Sequence, residues 1–468
     1  MDWGSDTRHI LADCHNGTLP KFGKGFCCGC ASFHYHLCMA APPIQALVLT
    51  FEEARRIVED HASHLTPSAN ETLALLHAAG RVLAEPIAAD RDIPPFSRST
   101  RDGYAVRGAD LATLPARLKV IGEIKAGPQQ SPSSLNRGQA YSIMTGAPVP
   151  QGADAVVMVE YTSVKADSVE ITKGVAPGEN IVPQGAEAKR GGLLLERGTR
   201  LNEAAIALAA SVGKSRLQVF TRPRVAVLTT GDEIVDIDAE PGPAQIRNSN
   251  TYSLAVQIQK AGGEPMLLPI APDEPRRLRQ LIEEGLQSDL LIMTGGVSMG
   301  RYDLVEQVLA DLQAEFFFTG AKIQPGKPVV FGRVGSCSAG APARAGASAP
   351  ASPKDSHKYF FGLPGNPVST MVTFELFARP ILEALSGMQP RPLNFLHARL
   401  KSDIRIKTGL TRFLPAILSG KHEDTHAEPV PWQGSGDIAA RSRANCYIVI
   451  PPDREHIQVG EWIAVMLC

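Results

Sequence analysis

The sequence predicts a multidomain protein of the α/β plus β class, with a central doubly wound parallel sheet and an inserted β domain. The chain has 468 residues, of which 44% are hydrophobic, so it can bury several cores, and we expect about three or four domains. Residues 224–386 alternate apolar strands with amphipathic helices, the order typical of a doubly wound sheet. Residues 93–187 instead carry many Gly and Pro residues between short β-branched runs, which predicts an all-β insertion.

The overall composition argues against two classes of protein. The formal net charge is −1, so no global basic field favours nucleic-acid binding, although local anion sites stay open. No apolar run approaches the roughly 20 residues needed to cross a bilayer, and we therefore expect a soluble protein with no membrane partner. Cysteines are sparse after residue 38, which predicts a cytoplasmic location.

The first forty residues differ from the rest of the chain. Five of the eight cysteines lie within residues 14–38. Cys27, Cys28 and Cys30 lie near two histidines, but zinc knuckles use cysteine pairs separated by two to four residues, so a zinc site is the less favoured interpretation. The segment also lacks the apolar core of a signal peptide. We interpret residues 1–45 as a disordered or mispredicted N-terminal extension, and we expect the natural start at Met39, in which case residues 1–38 precede it.

Helical patterns flank the inserted β region on both sides. Thr50 is placed to cap a helix with one apolar face. A second helix is predicted at 71–83, and helical spacing returns at 201–212. Because the β region lies between these stretches, we expect a discontinuous helical linker domain formed by residues 46–92 and 188–222.

The region 223–388 is predicted to contain the central sheet, with right-handed crossovers. Its segment 335–358 is rich in Ala, Ser and Pro, so we expect a disordered surface loop there. The predicted strands are 225–228, 266–270, 290–293, one ending at Val334 and one starting at Tyr359, and the predicted helices are 251–261, 275–285 and one starting near Tyr302 or Asp303.

Three of the predicted strands end in glycine-containing turns, at 229–233, 294–300 and 362–367. Glycine lets backbone N–H groups approach an anion, and a helix starting near Asp303 would direct its positive end toward the second turn. Each turn alone is also compatible with an ordinary strand-to-helix connection, and Asn366-Pro367 with helix capping. Ligands of such sheets gather at the carboxyl ends of the strands, so the three turns together predict a site for a phosphate-bearing ligand.

Acidic residues near these turns suggest a divalent cation. Carboxylates beside phosphate oxygens repel them unless Mg²⁺ bridges the two, and Asp232, Glu233 and Asp303 fit that role. Asp232 is equally compatible with a turn and Asp303 with a helix start. Asp102 stands in an Asp-Gly pair, which is frequent in turns, and its role stays open at this level.

A series of short motifs runs along the chain. The first is the DGYA segment at 102–105, and the second is the run 143–150 followed by 152–157. The later motifs are GENI at 178–181, TGDE at 230–233, TGGVS at 294–298, PGKP at 325–328 and GLPGNPVS at 362–369. These motifs resemble, in the same order, those of the MoeA and gephyrin E-domain family, and the resemblance covers roughly residue 47 to the C-terminus.

The resemblance implies a four-part subunit. Its parts are a discontinuous helical segment, an inserted β domain, a central molybdopterin-binding α/β domain and a C-terminal β-barrel-like domain at 392–468, in which 446–450 and 462–466 fit short strands. It also implies a homodimer whose active cleft receives residues from the partner subunit. Asp102 and Thr145 would project into that cleft.

The implied reaction is insertion of molybdate into adenylylated molybdopterin, with Mg²⁺-dependent cleavage of the phosphoanhydride and release of AMP. The implied catalytic residues are Asp102, Thr145, Asp303 and Lys327, and the implied metal ligands are Asp102, Asp232 and Asp303. The loops of the sheet would hold pterin and phosphates through backbone donors, and charged and hydroxyl side chains suit the molybdate dianion. The implied cofactor-binding residues are Gly231, Asp232, Glu233, Asn250, Thr294, Gly295, Gly296, Ser298, Pro364, Gly365, Asn366, Arg412 and Ser435, the last two being the candidates for molybdate.

Two stretches depart from the family's pattern. Gln324 stands where many relatives carry lysine before Pro-Gly-Lys, so one anion-binding charge is missing. Asn248 and Asn250 occupy a stretch where some relatives have an aspartate, and we leave Asn248 out of the metal ligands. The preference for molybdate or tungstate and the individual roles of the acidic residues stay open.

Three other functions share part of this resemblance. A molybdopterin adenylyltransferase has a similar central domain, but it needs neither the DGYA segment nor a C-terminal β domain. A scaffold or clustering protein is disfavoured because no fused adenylyltransferase domain is seen, and a nicotinamide-nucleotide amidase because its additional catalytic domain is not seen. The expected transient partners are molybdopterin adenylyltransferase and molybdoenzyme-maturation proteins.

Overall fold

The computed structural model describes residues 47–127, 132–296, 304–335, 357–389 and 391–467. All of these residues belong to one compact unit. The expectations for the extension at 1–45, for Ser298, for Asp303 and for nearly all of the insert at 335–358 lie outside the described residues.

The N-terminal part of the chain begins with the capped helix that the sequence predicts. The Thr50 hydroxyl accepts a hydrogen bond from the Glu53 N–H at 3.2 Å, and the Glu53 carboxylate accepts one from the Thr50 N–H at 2.9 Å. Phe51 and Val58 on this helix pack into the largest core cluster. The elements up to residue 222 are, in chain order, β1 (Val48–Leu49), α1 (Phe51–His64), β2 (Asn70–Ala74), β3 (Ile87–Ala88), β4 (Arg98–Ser99), β5 (Gly103–Val106), β6 (Ala116–Ile124), β7 (Gln139–Ile143), β8 (Ala155–Met158), β9 (Thr162–Lys165), β10 (Ser168–Ile171), β11 (Ile181–Val182), β12 (Leu193–Leu195), α2 (Glu203–Ser211) and β13 (Arg216–Phe220).

The prediction of a helix at 71–83 is wrong. Strand β2 occupies its first part, and a short 3₁₀ turn, Leu75–Ala78, follows. β2 pairs antiparallel with β13, with Ala74 opposite Arg216 and Asn70 opposite Phe220. Apolar spacing over a short segment does not distinguish a helix from a strand, and here a partner strand far along the chain decides the conformation.

The inserted region forms a β sheet with the strand order β8-β5-β7-β6-β10-β9. β5 lies between β7 and β8 and runs antiparallel to both, so that Gly103 is opposite Ile143 on one side and Met158 on the other. Tyr104 and Val106 of β5 are buried in the core of this sheet. The residues just before β5 therefore lie beside the residues just after β7.

The central region contains the sheet on which the predicted ligand loops lie. Its elements are β14 (Arg224–Thr229), β15 (Ile234–Val235), β16 (Ile246–Arg247), α3 (Asn250–Lys260), β17 (Glu264–Leu267), α4 (Pro275–Gly285), β18 (Leu290–Thr294), α5 (Leu304–Asp311), β19 (Glu315–Phe318), β20 (Gly320–Ala321), β21 (Ile323–Gln324), β22 (Val330–Val334), β23 (Lys358–Leu363), α6 (Pro367–Thr373), a short π-helix (Phe374–Ala378) and α7 (Arg379–Leu385).

The central sheet is doubly wound, but it is not entirely parallel. Its strand order is β17-β14-β18-β23-β22-β19, and the first four strands are parallel. Successive residues of β14 face two core clusters, one covered by α3 and α6 and the other by α4 and α5. β22 runs antiparallel to β23 and β19.

The C-terminal region forms a closed five-stranded barrel with the order β26-β27-β24-β30-β28, closed by pairing of β28 with β26. Ile448 and Val465 are among the side chains that fill its interior. Its elements are β24 (Leu396–Leu400), β25 (Ile404–Arg405), β26 (Thr411–Lys421), β27 (Asp424–Pro429), α8 (Ile438–Arg443), β28 (Cys446–Ile450), β29 (His456–Ile457) and β30 (Trp462–Leu467).

The segment Gly320–Gln324 joins three regions. Its first strand, β20, pairs parallel with β1 before α1, and its second, β21, pairs parallel with β26 of the barrel. The Thr411 N–H donates to the Lys322 carbonyl at 3.0 Å.

No helix among the described residues combines the length and apolarity needed to cross a membrane.

Candidate active site

The carboxyl ends of β14 and β18 meet at one edge of the central sheet, where the glycines predicted to approach a ligand lie. The Thr230 N–H donates to the Thr294 carbonyl at 3.0 Å and joins the two turns. Gly295 has a φ of +85°, and a Cβ there would lie 2.4 Å from the Thr230 carbonyl oxygen. Only glycine fits such a turn without moving the backbone. The structure therefore holds the turns after β14 and β18 in direct contact.

Asn250 connects these turns to the turn after β23. Its side-chain amide donates to the Thr294 hydroxyl at 2.9 Å and to the Gly365 carbonyl at 2.7 Å, and the Thr294 hydroxyl donates to the Pro364 carbonyl at 3.1 Å. Asn250 and Thr294 are both buried. Four of the predicted cofactor-binding residues thus form one hydrogen-bonded group.

Two buried oxygen atoms at this edge have no hydrogen-bond partner among the described residues. They are the Thr230 hydroxyl oxygen and the side-chain amide oxygen of Asn250. An unsatisfied buried polar group costs about 1–3 kcal/mol, and in native structures such groups mark places where a ligand or water completes the bonding. Thr230 was not predicted as a site residue, although it lies within the TGDE motif.

A pocket of about 340 Å³ opens between the central sheet and the C-terminal barrel. Its two walls are joined at Ser435, whose hydroxyl accepts from the Asn366 side-chain amide at 2.9 Å and whose carbonyl accepts from the Val368 N–H at 2.9 Å. Four predicted residues, Lys327, Pro364, Asn366 and Ser435, line it. The full lining is Ile323, Gln324, Pro325, Gly326, Lys327, Pro328, Pro364, Asn366, Ser369, Leu410, Trp432 and Ser435.

Arg412 lies at the edge of this pocket without lining it. It is the strand partner of Gln324 in the pairing of β21 with β26. One terminal nitrogen of its guanidinium donates to the Lys407 carbonyl at 2.8 Å, whereas its buried Nε atom has no partner among the described residues. Burial lowers the pKa of Arg412, and an anion would relieve that penalty.

Three carboxylates gather beside the turn after β14. The Asp273 N–H donates to a carboxylate oxygen of Asp232 at 3.1 Å. Burial raises the pKa of Asp273, and the negative charges of Asp232 and Glu233 raise it further. Asp273 was missed by the sequence analysis. Among the described residues, no group of three or more His, Cys, Asp or Glu side chains is arranged to hold a metal ion.

Asp102 and Thr145 meet in the inserted β domain. The Thr145 N–H donates to a carboxylate oxygen of Asp102 at 2.6 Å, and the Val159 N–H donates to the Asp102 carbonyl at 3.1 Å. The backbone and then the side chain of Thr145 hold the pKa of Asp102 below its usual value. Gly103 is required beside them, because a Cβ there would lie 1.9 Å from the Val157 carbonyl oxygen. Both side chains are exposed.

Three family models match this chain along most of its length. The MoeA N-terminal region, described as domains I and II, matches residues 49–213, and the MoeA C-terminal region, domain IV, matches 397–468. A probable molybdopterin binding domain matches 226–384. The chain belongs to the MoeA family.

Curated relatives and solved structures of the MoeA family are similar over most of their length. A molybdopterin molybdenumtransferase of Nostoc sp. is 35% identical over 406 residues, which is 85% of this chain and 88% of that protein. The Bacillus subtilis molybdopterin molybdenumtransferase is 32% identical over 407 residues, or 85% of this chain and 89% of that protein. A molybdopterin biosynthesis MoeA protein from Pyrococcus horikoshii has a TM-score of 0.69 at 28% identity, covering 90% of this chain and 100% of that one.

The predicted MoeA-type site is divided in this structure. Residues of the central turns and the barrel lie together, and Asp102 lies with Thr145. No hydrogen bond among the described residues links Asp102 or Thr145 to the central turns. The roles predicted for Asp303 and Ser298 fall outside the described residues.

Proposed function

We propose that this chain is a molybdopterin molybdenumtransferase, which inserts molybdate into adenylylated molybdopterin and releases AMP. The observation that carries the proposal is the pocket between the central turns and the barrel, together with the unpartnered Thr230 and Asn250 oxygens. The activity named for the Nostoc and Bacillus relatives, at 35% and 32% identity, supports the same conclusion.

Two parts of this region suit two parts of such a substrate. The turns at Gly231, Gly295 and Gly365 are proposed to supply backbone donors to phosphate oxygens, with the Gly231 N–H itself already bonded to the Ala271 carbonyl at 3.3 Å. The pocket offers Lys327 and the Ser435 hydroxyl, with Arg412 at its edge. Molybdate is a dianion with tetrahedral oxygens, so cationic and hydroxyl donors bind it better than an apolar wall does.

The proposed magnesium ion fits the acidic residues beside the turns. Asp232, Glu233 and Asp273 concentrate negative charge where phosphates are proposed to bind. Mg²⁺ keeps several water ligands and needs only one or two carboxylates when substrate phosphates supply the rest, so a complete protein cage is not required. Asp232 is the described residue best placed to hold it, with Asp102 and Asp303 as further proposed ligands. When bound, the ion would neutralise charge on the phosphoanhydride.

The exposed Asp102–Thr145 pair is proposed to act across a homodimer. Both side chains face solvent and hold only each other, which is the arrangement expected of a group that completes a cleft on a second copy. We also propose a cytoplasmic location and transient contact with molybdopterin adenylyltransferase and with molybdoenzyme-maturation proteins. These proposals follow from the activity that is proposed here.

The primary test is AMP release and formation of active cofactor by the purified chain, given adenylylated molybdopterin, molybdate and magnesium. AMP release that depends on both molybdate and magnesium is expected, with metal-free protein and Asp102→Ala as controls. Pterin binding without turnover would contradict the proposal and indicate a scaffold, with Gln324 as the first position to examine.

Mixing two inactive variants tests the homodimer. If Asp102 serves a site on the partner subunit, a dimer of Asp102→Ala with Lys327→Ala has one intact site. An equal, re-equilibrated mixture then recovers about one quarter of the wild-type activity. No recovery, with subunit exchange confirmed by a tag on one variant, would place both residues in the same copy.

A further inference from the structure

Trp432 is the single aromatic residue among those that line the pocket between the central turns and the barrel. We infer that its indole is the surface on which a flat heterocycle of the substrate stacks. The inference rests on the proposed function, because adenylylated molybdopterin contains two fused pyrimidine heterocycles, the pterin and the adenine. It adds to the substrate contacts a residue that neither the motifs nor the phosphate-binding turns indicate.

The pocket lining supports this assignment by its composition. The polar side chains of Gln324, Lys327, Asn366, Ser369 and Ser435 account for binding of an anion but offer nothing to a flat ring. The rest of the lining is Ile323, four residues of the Pro-Gly turns, Leu410 and Trp432. A ligand that carries an anion beside an aromatic ring would use both kinds of lining. The indole of tryptophan is the side chain best suited to stack against such a ring.

The loop that carries Trp432 is held at three points. The Val430 N–H donates to the Pro415 carbonyl at 2.9 Å, and the Gln433 N–H donates to a carboxylate oxygen of Asp437 at 3.0 Å. Ser435 is bonded to Asn366 and Val368 of the central region, as described above. The loop is therefore fixed to both walls of the pocket.

The indole itself is only partly buried. Trp432 packs against the largest core cluster, yet it keeps part of its surface toward the pocket. An aromatic side chain held in this way loses little conformational freedom when a ring stacks on it. Ser435, three residues further along, places a hydroxyl in the same pocket, so ring and anion would be bound by one short loop.

Tryptophan fluorescence tests the contact directly, because the chain has only three tryptophans. A Trp3→Phe/Trp462→Phe protein retains Trp432 alone, and a Trp3→Phe/Trp432→Phe protein retains Trp462 alone as the matched control. Trp462 is 54% exposed on the barrel and does not line the pocket. We expect saturable quenching of Trp432 and none of Trp462.

The choice of probe identifies the ring. AMP, molybdopterin and adenylylated molybdopterin are titrated separately, with inorganic phosphate and molybdate as controls that carry no ring. Quenching by AMP assigns the adenine to Trp432, and quenching by molybdopterin assigns the pterin. If none of the three ring-bearing probes quenches Trp432, the inference is overturned.

Steady-state kinetics separate stacking from a structural role. Trp432→Leu is expected to raise the KM for adenylylated molybdopterin about tenfold while kcat stays within about twofold, and Trp432→Phe is expected to restore most of the affinity. Trp462→Phe should match the wild type. An unchanged KM in Trp432→Leu would overturn the inference while leaving the proposed function intact. Absence of turnover in the wild type would count against the proposed function instead, and the fluorescence titration still decides the role of Trp432.

Discussion

The hydrogen bonds around the pocket join separate turns and two regions of the chain, whereas those of Asp102 and Thr145 stay within the inserted β domain. Beside the pocket, Asn250 and Thr294 join separate turns of the central sheet, and in the pocket Ser435 bonds across two regions of the chain. In the Asp102–Thr145 turn, one carboxylate accepts one N–H, and both side chains remain exposed. The proposed binding residues are therefore organised within the subunit, and the proposed catalytic pair is exposed where a second copy is proposed to meet it.

This difference predicts that substitutions in the two regions affect stability and activity differently. A side chain of the hydrogen-bonded group around Asn250 is expected to stabilise both the fold and the bound ligand. Its removal should therefore lower both stability and substrate affinity. A side chain of the exposed turn contributes little to the fold, so its removal affects activity alone. Four changes test the contrast, from the largest expected effect to the smallest.

The largest effect is expected for Asp102→Ala. Loss of its carboxylate should lower kcat by about 100-fold or more, with a melting temperature close to that of the wild type because the side chain is exposed. Turnover by the purified variant and thermal unfolding measure the two quantities. Asp102→Asn keeps an oxygen that can accept the Thr145 N–H and is the control for charge. A large loss of melting temperature would show that the turn is structural.

Asn250→Ala should lower both the stability of the fold and the affinity for the substrate. It leaves the Gly365 carbonyl without its donor and breaks the bond to the Thr294 hydroxyl, so we expect a loss of about 2 kcal/mol in the free energy of unfolding. Substrate affinity should also fall, because the turns after β18 and β23 lose their common contact. Chemical denaturation and the KM for adenylylated molybdopterin are the measurements. A variant that loses affinity at full stability would contradict the idea of a network shared by fold and ligand.

Gln324→Lys should strengthen the binding of molybdate in the pocket. Gln324 is exposed, lines the pocket and is the strand partner of Arg412, so a lysine would add a positive charge near the proposed molybdate. We expect the molybdate concentration for half-maximal activity to fall about fivefold, which corresponds to roughly 1 kcal/mol. Gln324→Met, with similar length and no charge, is the control. Equal effects of lysine and methionine would exclude an electrostatic cause.

The smallest effect is expected for Asp437→Ala, which loosens the loop that carries Trp432 and Ser435. The N–H groups of Ala440 and then Gln433 hold the pKa of Asp437 below its usual value of 3.8. Its stabilising contribution is therefore present above that pH and is lost as the pH falls through the lower pKa of the folded state. We expect a melting temperature about 2 °C lower than that of the wild type at neutral pH. The difference should shrink below pH 3.8, and a constant difference across that range would exclude the carboxylate as its source.

Regular local patterns in the sequence were enough to predict much of the central region. The helix α4 is confirmed at Pro275–Gly285, because a proline at its start and a strong apolar stripe define it locally. The apolar centres of β14 and β18 were equally recognisable, whereas β28 was expected from the family resemblance. β2 and the direction of β22 were not predictable, since each depends on a partner strand that local pattern does not reveal.

The candidate site was likewise predictable only in part from the sequence. Motifs carried by glycine and proline indicated the turns, and the structure brings Asn250, Thr294, Pro364 and Gly365 together. Asp273 lies between prolines in a segment typical of a helix start, and tertiary contacts, the bridge between Thr230 and Ala271 among them, place that segment beside Asp232. Trp432 has no motif of its own, and its relevance appears only when the barrel meets the central turns.

The segment Gly320–Gln324 limits how the chain can be recombined. A chimera that exchanges the barrel with that of a relative at about residue 392 would separate β26 from a β21 that evolved with it, and the Thr411–Lys322 bond would join mismatched sequences. Because Pro325 to Lys327 follow directly, the mismatch would displace the pocket even if both parts folded. Grafts of substrate preference between relatives should therefore transfer residues 320–327 together with the barrel.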